Sequence, residues 1–225
     1  MSVCKYFMQT KIKKLIFEFP ESSSKRWSNK NIIEGVIDQK TYGDKFWGVV
    51  VDVGANVGSF AVWVSKMPLV REVYAYEPSL LNFEYLKKNI MLNDVKVKIF
   101  NFGLGTPGQR ELNINDVNCG SFSMYHGEAG KEKIICKSLQ SVFTDNNLTE
   151  IDWLKCDAEG AEWEFLFEGE ALLSKIKNIV MEVHLYKPEW KRETMINLLK
   201  RNGFEVETQD AFVNTCFTII AKKYG

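Results

Sequence analysis

The chain of 225 residues is short of several things. It has only two histidines, His126 and His184, and no excess of charge, with 29 basic and 29 acidic residues. A domain that grips a nucleic-acid duplex usually carries a basic excess, so the balance argues against that partner. The cysteines (Cys4, Cys119, Cys136, Cys156 and Cys216) are odd in number, and no two form a C-x-x-C pair. That speaks against a disulfide framework and for reduced thiols in a cytoplasmic compartment. No apolar run is long enough to cross a membrane. The opening "MSVCKYFMQTKIKKLIF" has lysines but no uninterrupted apolar stretch or small-residue cleavage site, and is not read as a signal peptide. There is no internal repeat, and the composition leaves the oligomeric state open.

What is present is ordinary for a globular domain: 45% hydrophobic and 26% charged residues. Residues 1–47 read as an N-terminal extension, polar and loop-like around "FPESSSKRWSNKN", that packs on a domain spanning 48–225. From Val49 the pattern turns regular. "VVVDVG" suits a buried parallel strand, "SFAVWVSKM" a helix stopped by Pro68, and "EVYAYEP" a second strand. "SLLNFEYLKKNIMLND" predicts an amphipathic helix with Ser79 as N-cap and Leu80, Phe83, Leu86 and Ile90 near one face. "VKVKIFNFGLG" alternates as a strand. Residues 106–149 read as short strands and loops. "IDWLKCD" and "IKNIVMEVH" are further strands, with helices predicted over "AEGAEWEFLFEGEALLSK" and over "PEWKRETMINLLKRNG", Pro188 in the first turn of the latter. "FEVETQD" and "CFTIIAKK" close the chain as two strands. Strand and helix alternating in this way predict a doubly wound α/β sheet.

Ligands of such sheets sit beyond the carboxyl ends of the strands. The first turn, "DVGANVG", has glycines at Gly54 and Gly58 and Asn56 between them, which tolerates a left-handed conformation. Asp52 would set a negative charge at this turn, poor beside a pyrophosphate but good beside an ammonium or sulfonium. Glu77, 23 positions after Gly54, stands where an acidic residue accepts from ribose hydroxyls. Asp157 emerges from a buried strand, followed by Glu159 and Glu162, which also favour the helix dipole.

Taken in order, "VDVGANVGSF", "YAYEP", "IDWLKCDAEGAEWEFLFEG" and "IVMEVH" resemble the FkbM family of S-adenosylmethionine-dependent methyltransferases, over roughly Val49 to His184. The resemblance implies a class I methyltransferase fold: a Rossmann-like, three-layer α/β/α domain whose seven-stranded, mostly parallel sheet has an antiparallel last strand. It also implies methyl transfer to a hydroxyl, as in sugars and macrolides. Asp52, Gly54, Ala55, Asn56, Gly58 and Ser59 would hold the methionine end of the cofactor. Glu77 would bind the ribose, Asn101 and Gly103 would lie along the adenine, and Asp157 and Glu159 would face the methyl group and acceptor.

An aliphatic hydroxyl needs a base at neutral pH. His184 is the candidate by intrinsic pKa, with Asp157 its rival and a structural role for His184 also open. Asp157, Glu159, Glu162, Glu182 and His184 offer ligands to a divalent ion; such clusters also occur without metal, and no metal ligand is assigned. Ser121, Ser123, Tyr125 and His126 could contact the cofactor or a polyhydroxylated acceptor, or form a surface loop. Two other classes fit less well. A nicotinamide oxidoreductase would have a glycine in place of Asn56, and an amino-directed nucleic-acid methyltransferase would have N/D-P-P-Y/F where "DAEG" stands. A non-catalytic binding module stays compatible with every motif.

Overall fold

A computed structural model describes residues 7–20, 29–114, 122–125, 130–210 and 215–223. Its centre is a seven-stranded sheet in the order β11-β12-β10-β9-β3-β4-β5. The strands are β3 (Gly48–Val53), β4 (Val70–Tyr76), β5 (Lys98–Phe100), β9 (Ile151–Cys156), β10 (Ile176–His184), β11 (Glu205–Asp210) and β12 (Cys216–Lys222). The pairs β3–β4, β4–β5, β3–β9 and β9–β10 are parallel, whereas β12 runs antiparallel to both β10 and β11. The expected sheet, mostly parallel with an antiparallel last strand, is therefore present.

The sheet is buried on both faces because its central strands are apolar on both. Val51, Val53, Leu154, Cys156, Ile179 and Met181 point into one core, shared with α4 (Leu139–Asp145), α5 (Glu162–Glu168) and α6 (Arg192–Arg201). Val50, Trp153 and Val180 alternate with them into a second core, under α1 (Asn29–Ile37), α2 (Ser59–Ser65) and α3 (Leu80–Leu92). The period of two along a strand thus divides the helices into two layers. Beside the main sheet lies a smaller one of β6 (Gly103–Leu104), β7 (Gly108–Ile114) and β8 (Gly130–Lys137).

Several local expectations need correction. Ser79 occupies the N-cap position of α3, but its buried hydroxyl makes no capping bond, and Leu80 is 55% exposed. The long helix expected from Ala158 to Lys175 is shorter: α5 starts at Glu162, after left-handed Glu159 and Gly160, and a 3₁₀ turn follows over Glu170–Lys175. Pro188 lies outside α6, which begins at Arg192 because the chain first turns to stack Trp190 on Trp163. Helix α4, capped by Ser138, was not anticipated between Thr106 and Thr149.

The segment before Gly48 is also more ordered than its polarity suggested. A hairpin of β1 (Phe7–Ile12) and β2 (Leu15–Pro20) carries Phe17 and Phe19 into the second core. Its outer edge is met by two asparagines one turn apart at the end of α3, Asn89 in its last turn and Asn93 as its C-cap. Asn93 accepts from Ile16 N–H (2.9 Å) and donates to Ile16 C=O (2.7 Å). Asn89 accepts from Glu18 N–H (2.7 Å) and donates to Glu18 C=O (2.8 Å). The two side-chain amides act as the strand that β2 lacks on that side, and so shield its edge. Asn89 also donates to Val57 C=O, within the first glycine turn, at 2.7 Å.

Asn89→Ala leaves the Glu18 backbone groups and the Val57 carbonyl without this partner in a largely buried site. The expected loss is about 3 kcal/mol of stability, read as a lower urea midpoint. A change below about 1 kcal/mol would mean that water replaces the amide.

Candidate active site

Strand β3 is followed by β4 on one side and, much later in the chain, by β9 on the other. The point between β3 and β9 is where the winding reverses, and there the connections diverge and leave a crevice. Gly54 leaves β3 and Asp157 leaves β9 at this point. They approach so closely that a Cβ on Gly54 would stand 1.8 Å from the Asp157 carbonyl oxygen, and Gly54 has φ +72° besides. Only glycine serves at this position. Asn56 takes the left-handed conformation expected of it, φ 53°. Gly58, φ +88°, gives way to Leu86 of α3.

The crevice opens into a cleft with Gly54, Asn56, Glu77, Asp157 and Glu159 on its polar side. Apolar walls come from Pro78, Leu104, Leu112, Phe122, Met124 and Ile134, the last five brought by the smaller sheet and the segment beside it. The cleft therefore suits a long ligand with one polar end and one flat apolar end.

Of the residues expected to hold such a ligand, Gly54, Asn56, Glu77, Gly103 and Asp157 line the cleft. Asp52 does not. It is fully buried, and its Oδ1 lies 3.0 Å from Lys155 Nζ on the neighbouring strand. The expectation that Asp52 would face a cationic ligand is thus corrected: its charge already faces a lysine. Ala55 and Ser59 are buried too. Asn101 is turned to the backbone, donating to the carbonyls of Glu77 and Pro78 at 3.0 Å each.

Glu77 accepts from Asn56 N–H (2.8 Å) and Ser79 N–H (2.9 Å). Burial raises its pKa to about 7, against the pull of those two amides. A carboxylate has about four acceptor sites, so lone pairs remain for a ligand's hydroxyls.

The second group gathers around His184, at the end of β10. Its ring is 96% hidden by the fold, and its Nδ1 lies 3.2 Å from Glu162 Oε1. Glu162 itself is fully buried and accepts from His184 N–H (2.7 Å) and Gly160 N–H (3.0 Å). The other ring nitrogen, Nε2, faces three carboxylates, 3.5 Å from Glu159 Oε2, 3.8 Å from Glu182 Oε1 and 4.0 Å from Asp157 Oδ1. Burial alone would lower the imidazole pKa, but Glu159 and Glu162 outweigh it and raise it well above the usual value. The carboxylates around the ring thus favour its protonated form. Burial and Asp157 push Glu182 up to about 7, although His184 opposes them.

Asp157, Glu159 and His184 each offer a donor atom within 4.8 Å of the others, a set that a divalent cation could use. Tyr186 donates its hydroxyl to Glu159. Ser123 donates to the Glu159 carbonyl at 2.6 Å, and Tyr125 donates to Glu164, so these two members of the "CGSFSMYHG" loop pack on the turn of Glu159. Ser121 and His126 lie outside the described residues. One contact was missed altogether: Tyr42, before the first strand of the main sheet, donates to Asp157 Oδ2 at 2.8 Å. No periodicity marks an isolated tyrosine in a polar segment.

The chain as a whole is similar to known proteins. The family model described as the methyltransferase FkbM domain matches residues 52–206. Methyltransferase sdnD of Sordaria araneosa is 27% identical over 197 residues, covering 70% of this chain and 73% of its own length. Methyltransferase 1 of Beauveria bassiana is 26% identical over 184 residues, covering 71% and 73%. The AMB antimetabolite synthetase AmbE of Pseudomonas aeruginosa is 25% identical over 209 residues, covering 73% of this chain; the chain spans 10% of that relative's length. Among solved structures, a precorrin-6y C5,15-methyltransferase of Geobacter metallireducens superposes with a TM-score of 0.53 at 15% identity, over 91% of this chain and 94% of the other. A tRNA (uracil-54, C5)-methyltransferase of Pyrococcus abyssi, in complex with S-adenosyl-L-homocysteine, superposes at 0.50 with 13% identity, over 97% and 44%. These likenesses carry the fold, and the domain match carries the family. The chain belongs to the FkbM family of S-adenosylmethionine-dependent methyltransferases.

Proposed function

We propose that this methyltransferase transfers the methyl group to a hydroxyl oxygen, most simply that of a sugar or other polyhydroxylated small molecule. The observation that carries the reading is the convergence of Glu182 and His184 on Asp157 and Glu159, the two carboxylates that line the polar end of the cleft. A hydroxyl must lose a proton as it is methylated, and this cluster is built to take one. The balanced charge supports a small-molecule acceptor over a nucleic acid. The reduced, buried thiols of Cys136, Cys156 and Cys216 fit a cytoplasmic setting, and no described helix is long and apolar enough to cross a membrane. Residues 48–225 form the transferase domain in this reading, with 1–47 as its extension.

The cleft fits the cofactor. Gly54 and left-handed Asn56 line its polar end, and the close approach of Gly54 to the Asp157 carbonyl sets the shape of the turn. Glu77 reads the ribose hydroxyls, and the slot between Pro78, Leu104, Phe122 and Ile134 receives the purine. Bound there, the cofactor supplies an electrophilic methyl on a sulfonium. The protein's task is then to aim the acceptor oxygen and receive its proton. As a cation, His184 cannot accept directly, but it steadies the carboxylates on either side. Asp157, with 29% of its side chain exposed, is the most accessible of them and takes the proton. Glu159 orients the acceptor hydroxyl from the other side. The proton has a destination without a metal, and the reading calls on none.

Three outcomes are expected. Calorimetry should detect S-adenosylmethionine binding and none of NAD; the reverse would sink the reading. In Glu77→Gln that binding should weaken and lose its pH dependence. In the wild type, affinity should rise between about pH 6 and about pH 8 as Glu77 ionises. Stability should move the opposite way. A carboxyl whose folded pKa is raised is favourable when protonated and loses that contribution as pH rises through about 7. The unfolding midpoint of the wild type should therefore fall toward alkaline pH more than that of Glu77→Gln. Thirdly, Asp157→Asn and His184→Ala should each keep cofactor binding and slow transfer by about 100-fold or more. The assay is mass spectrometry of glycans and smaller polyols incubated with labelled cofactor. Near-normal turnover in either variant removes that residue from the chemistry, and methylation of nitrogen alone would refute the hydroxyl acceptor.

A further inference from the structure

Tyr42 belongs to no motif and lies ten positions before the family match begins at residue 52. Yet it is only 6% exposed, and it reaches across the chain to the turn after β9. Its backbone is set from both sides. Before it, Thr41 N–H donates to Gly35 C=O and the Thr41 hydroxyl donates to the same oxygen. After it, Gly43 N–H donates to Lys40 C=O at 2.7 Å, with Lys40 and Gly43 both left-handed. Phe46 then anchors the segment against Phe60, Trp63 and Trp153. The Tyr42 ring meets Phe60 edge-on at 5.8 Å, and Lys155 Nζ stands 5.1 Å from its centroid. The hydroxyl is thus carried on a fixed ring, and it donates to Asp157 Oδ2 at 2.8 Å.

That bond has a consequence for Asp157. A carboxylate at the mouth of a cleft can turn about its last bond and present either oxygen. With Oδ2 held by Tyr42, Oδ1 is the oxygen left facing His184 Nε2, 4.0 Å away, and the acceptor beside it. We propose that Tyr42 is a positioning residue for methyl transfer, which fixes the rotation of Asp157 so that one chosen oxygen meets the acceptor hydroxyl. The proposal rests on the assignment of Asp157 as proton acceptor. It makes the segment before the matched domain part of the active site, and it explains why a tyrosine is buried there in place of a phenylalanine. Burial raises the Tyr42 pKa, with Asp157 adding to the effect, so the group stays a neutral donor across the working range.

The test is Tyr42→Phe in the full chain, which keeps the ring, its contact with Phe60 and its place over Lys155. Cofactor affinity by calorimetry should stay within about twofold, KM for the acceptor should change little, and kcat should fall about tenfold, the worth of one such hydrogen bond. The double variant with Asp157→Asn should be no slower than Asp157→Asn alone, because a fixed rotation is useless without the carboxylate. A kcat within twofold of wild type overturns the proposal. So does additive loss in the double variant, or loss of cofactor binding and thermal midpoint in parallel with activity. A second readout needs no acceptor. With ¹³C-labelled aspartate, the Asp157 carboxylate signal, assigned by its absence in Asp157→Asn, should shift in Tyr42→Phe. An unmoved signal overturns the positioning role, whereas a moved signal in a protein that methylates no hydroxyl leaves the bond in place and refutes the hydroxyl-transfer reading instead.

Discussion

The buried ion pair of Lys155 and Asp52 is the constraint around which the site is built. The two residues are directly opposite each other in the parallel register of β9 and β3, with Lys155 Nζ 3.0 Å from Asp52 Oδ1. The same ammonium donates to Gly54 C=O at 3.0 Å. One buried cation thus locks two strands together and fixes the first residue of the turn that leaves them. Burial works against the charge on Lys155, but Asp52 and Asp157 outweigh it and hold the lysine protonated. Such a pair adds little net stability, because desolvating two ions costs about as much as their attraction returns. Removing one partner, though, strands the other and costs about 3–5 kcal/mol. The value of the pair lies in register. A slip of one residue between β3 and β9 would part the two charges and turn each strand's side chains to the wrong face.

The two ends of the sheet show what separates a structural carboxylate from a reactive one. Asp152 stands at the opposite end of β9 and is as deeply buried as Asp52. It accepts from Val49 N–H and pairs with Lys177 and Arg71, so although burial alone would raise its pKa, these partners lower it. Every demand of that carboxylate is met by a cation or an amide. At the carboxyl end, Asp157, Glu159, Glu162 and Glu182 share one imidazolium. The negative charge there exceeds its internal compensation. A fold tolerates that where a ligand, a proton or a cation completes the balance, and strongly shifted groups accordingly gather at functional sites.

Much of this could be read in the chain beforehand, and the boundary of what could be read has a physical basis. Buried parallel strands announce themselves as short β-branched runs, so β3, β4, β9 and β10 were visible, and with them the residues at their ends, from Gly54 and Glu77 to Asp157 and His184. The direction a side chain takes within such a strand was not visible. Asp52 precedes the first glycine and looks like a ligand to the cofactor, but it points sideways to Lys155, a partner 103 positions away in sequence. Helix α4 has seven residues, too few for a face to emerge from periodicity. The N-terminal hairpin was hidden for a different reason. One edge of β2 is satisfied by β1, and the other by the side chains of Asn89 and Asn93. Asparagines in the last turn and at the C-cap of a helix read as an ordinary helix end, and nothing local says that they stand in for a strand.

That same substitution of side chain for strand links the N-terminal segment to the chemistry. Asn89 joins Glu18 of the hairpin to Val57 of the glycine turn, while Tyr42 joins the following segment to Asp157. The two contacts fall on opposite sides of the crevice between β3 and β9, one on each of the turns that frame it. A core built only from the strands and helices of the matched domain would keep the Asn89–Val57 bond but leave the Asn89 amide without Glu18 and one oxygen of Asp157 without Tyr42. The Asn89–Glu18 and Tyr42–Asp157 bonds both need the N-terminal segment packed into the second core to exist at all. The extension and the transfer site therefore constrain each other. The apolar side chains Phe17, Phe19, Ile33 and Phe46 supply the burial that holds the segment down, and the two polar side chains at either end convert that packing into the shape of the site.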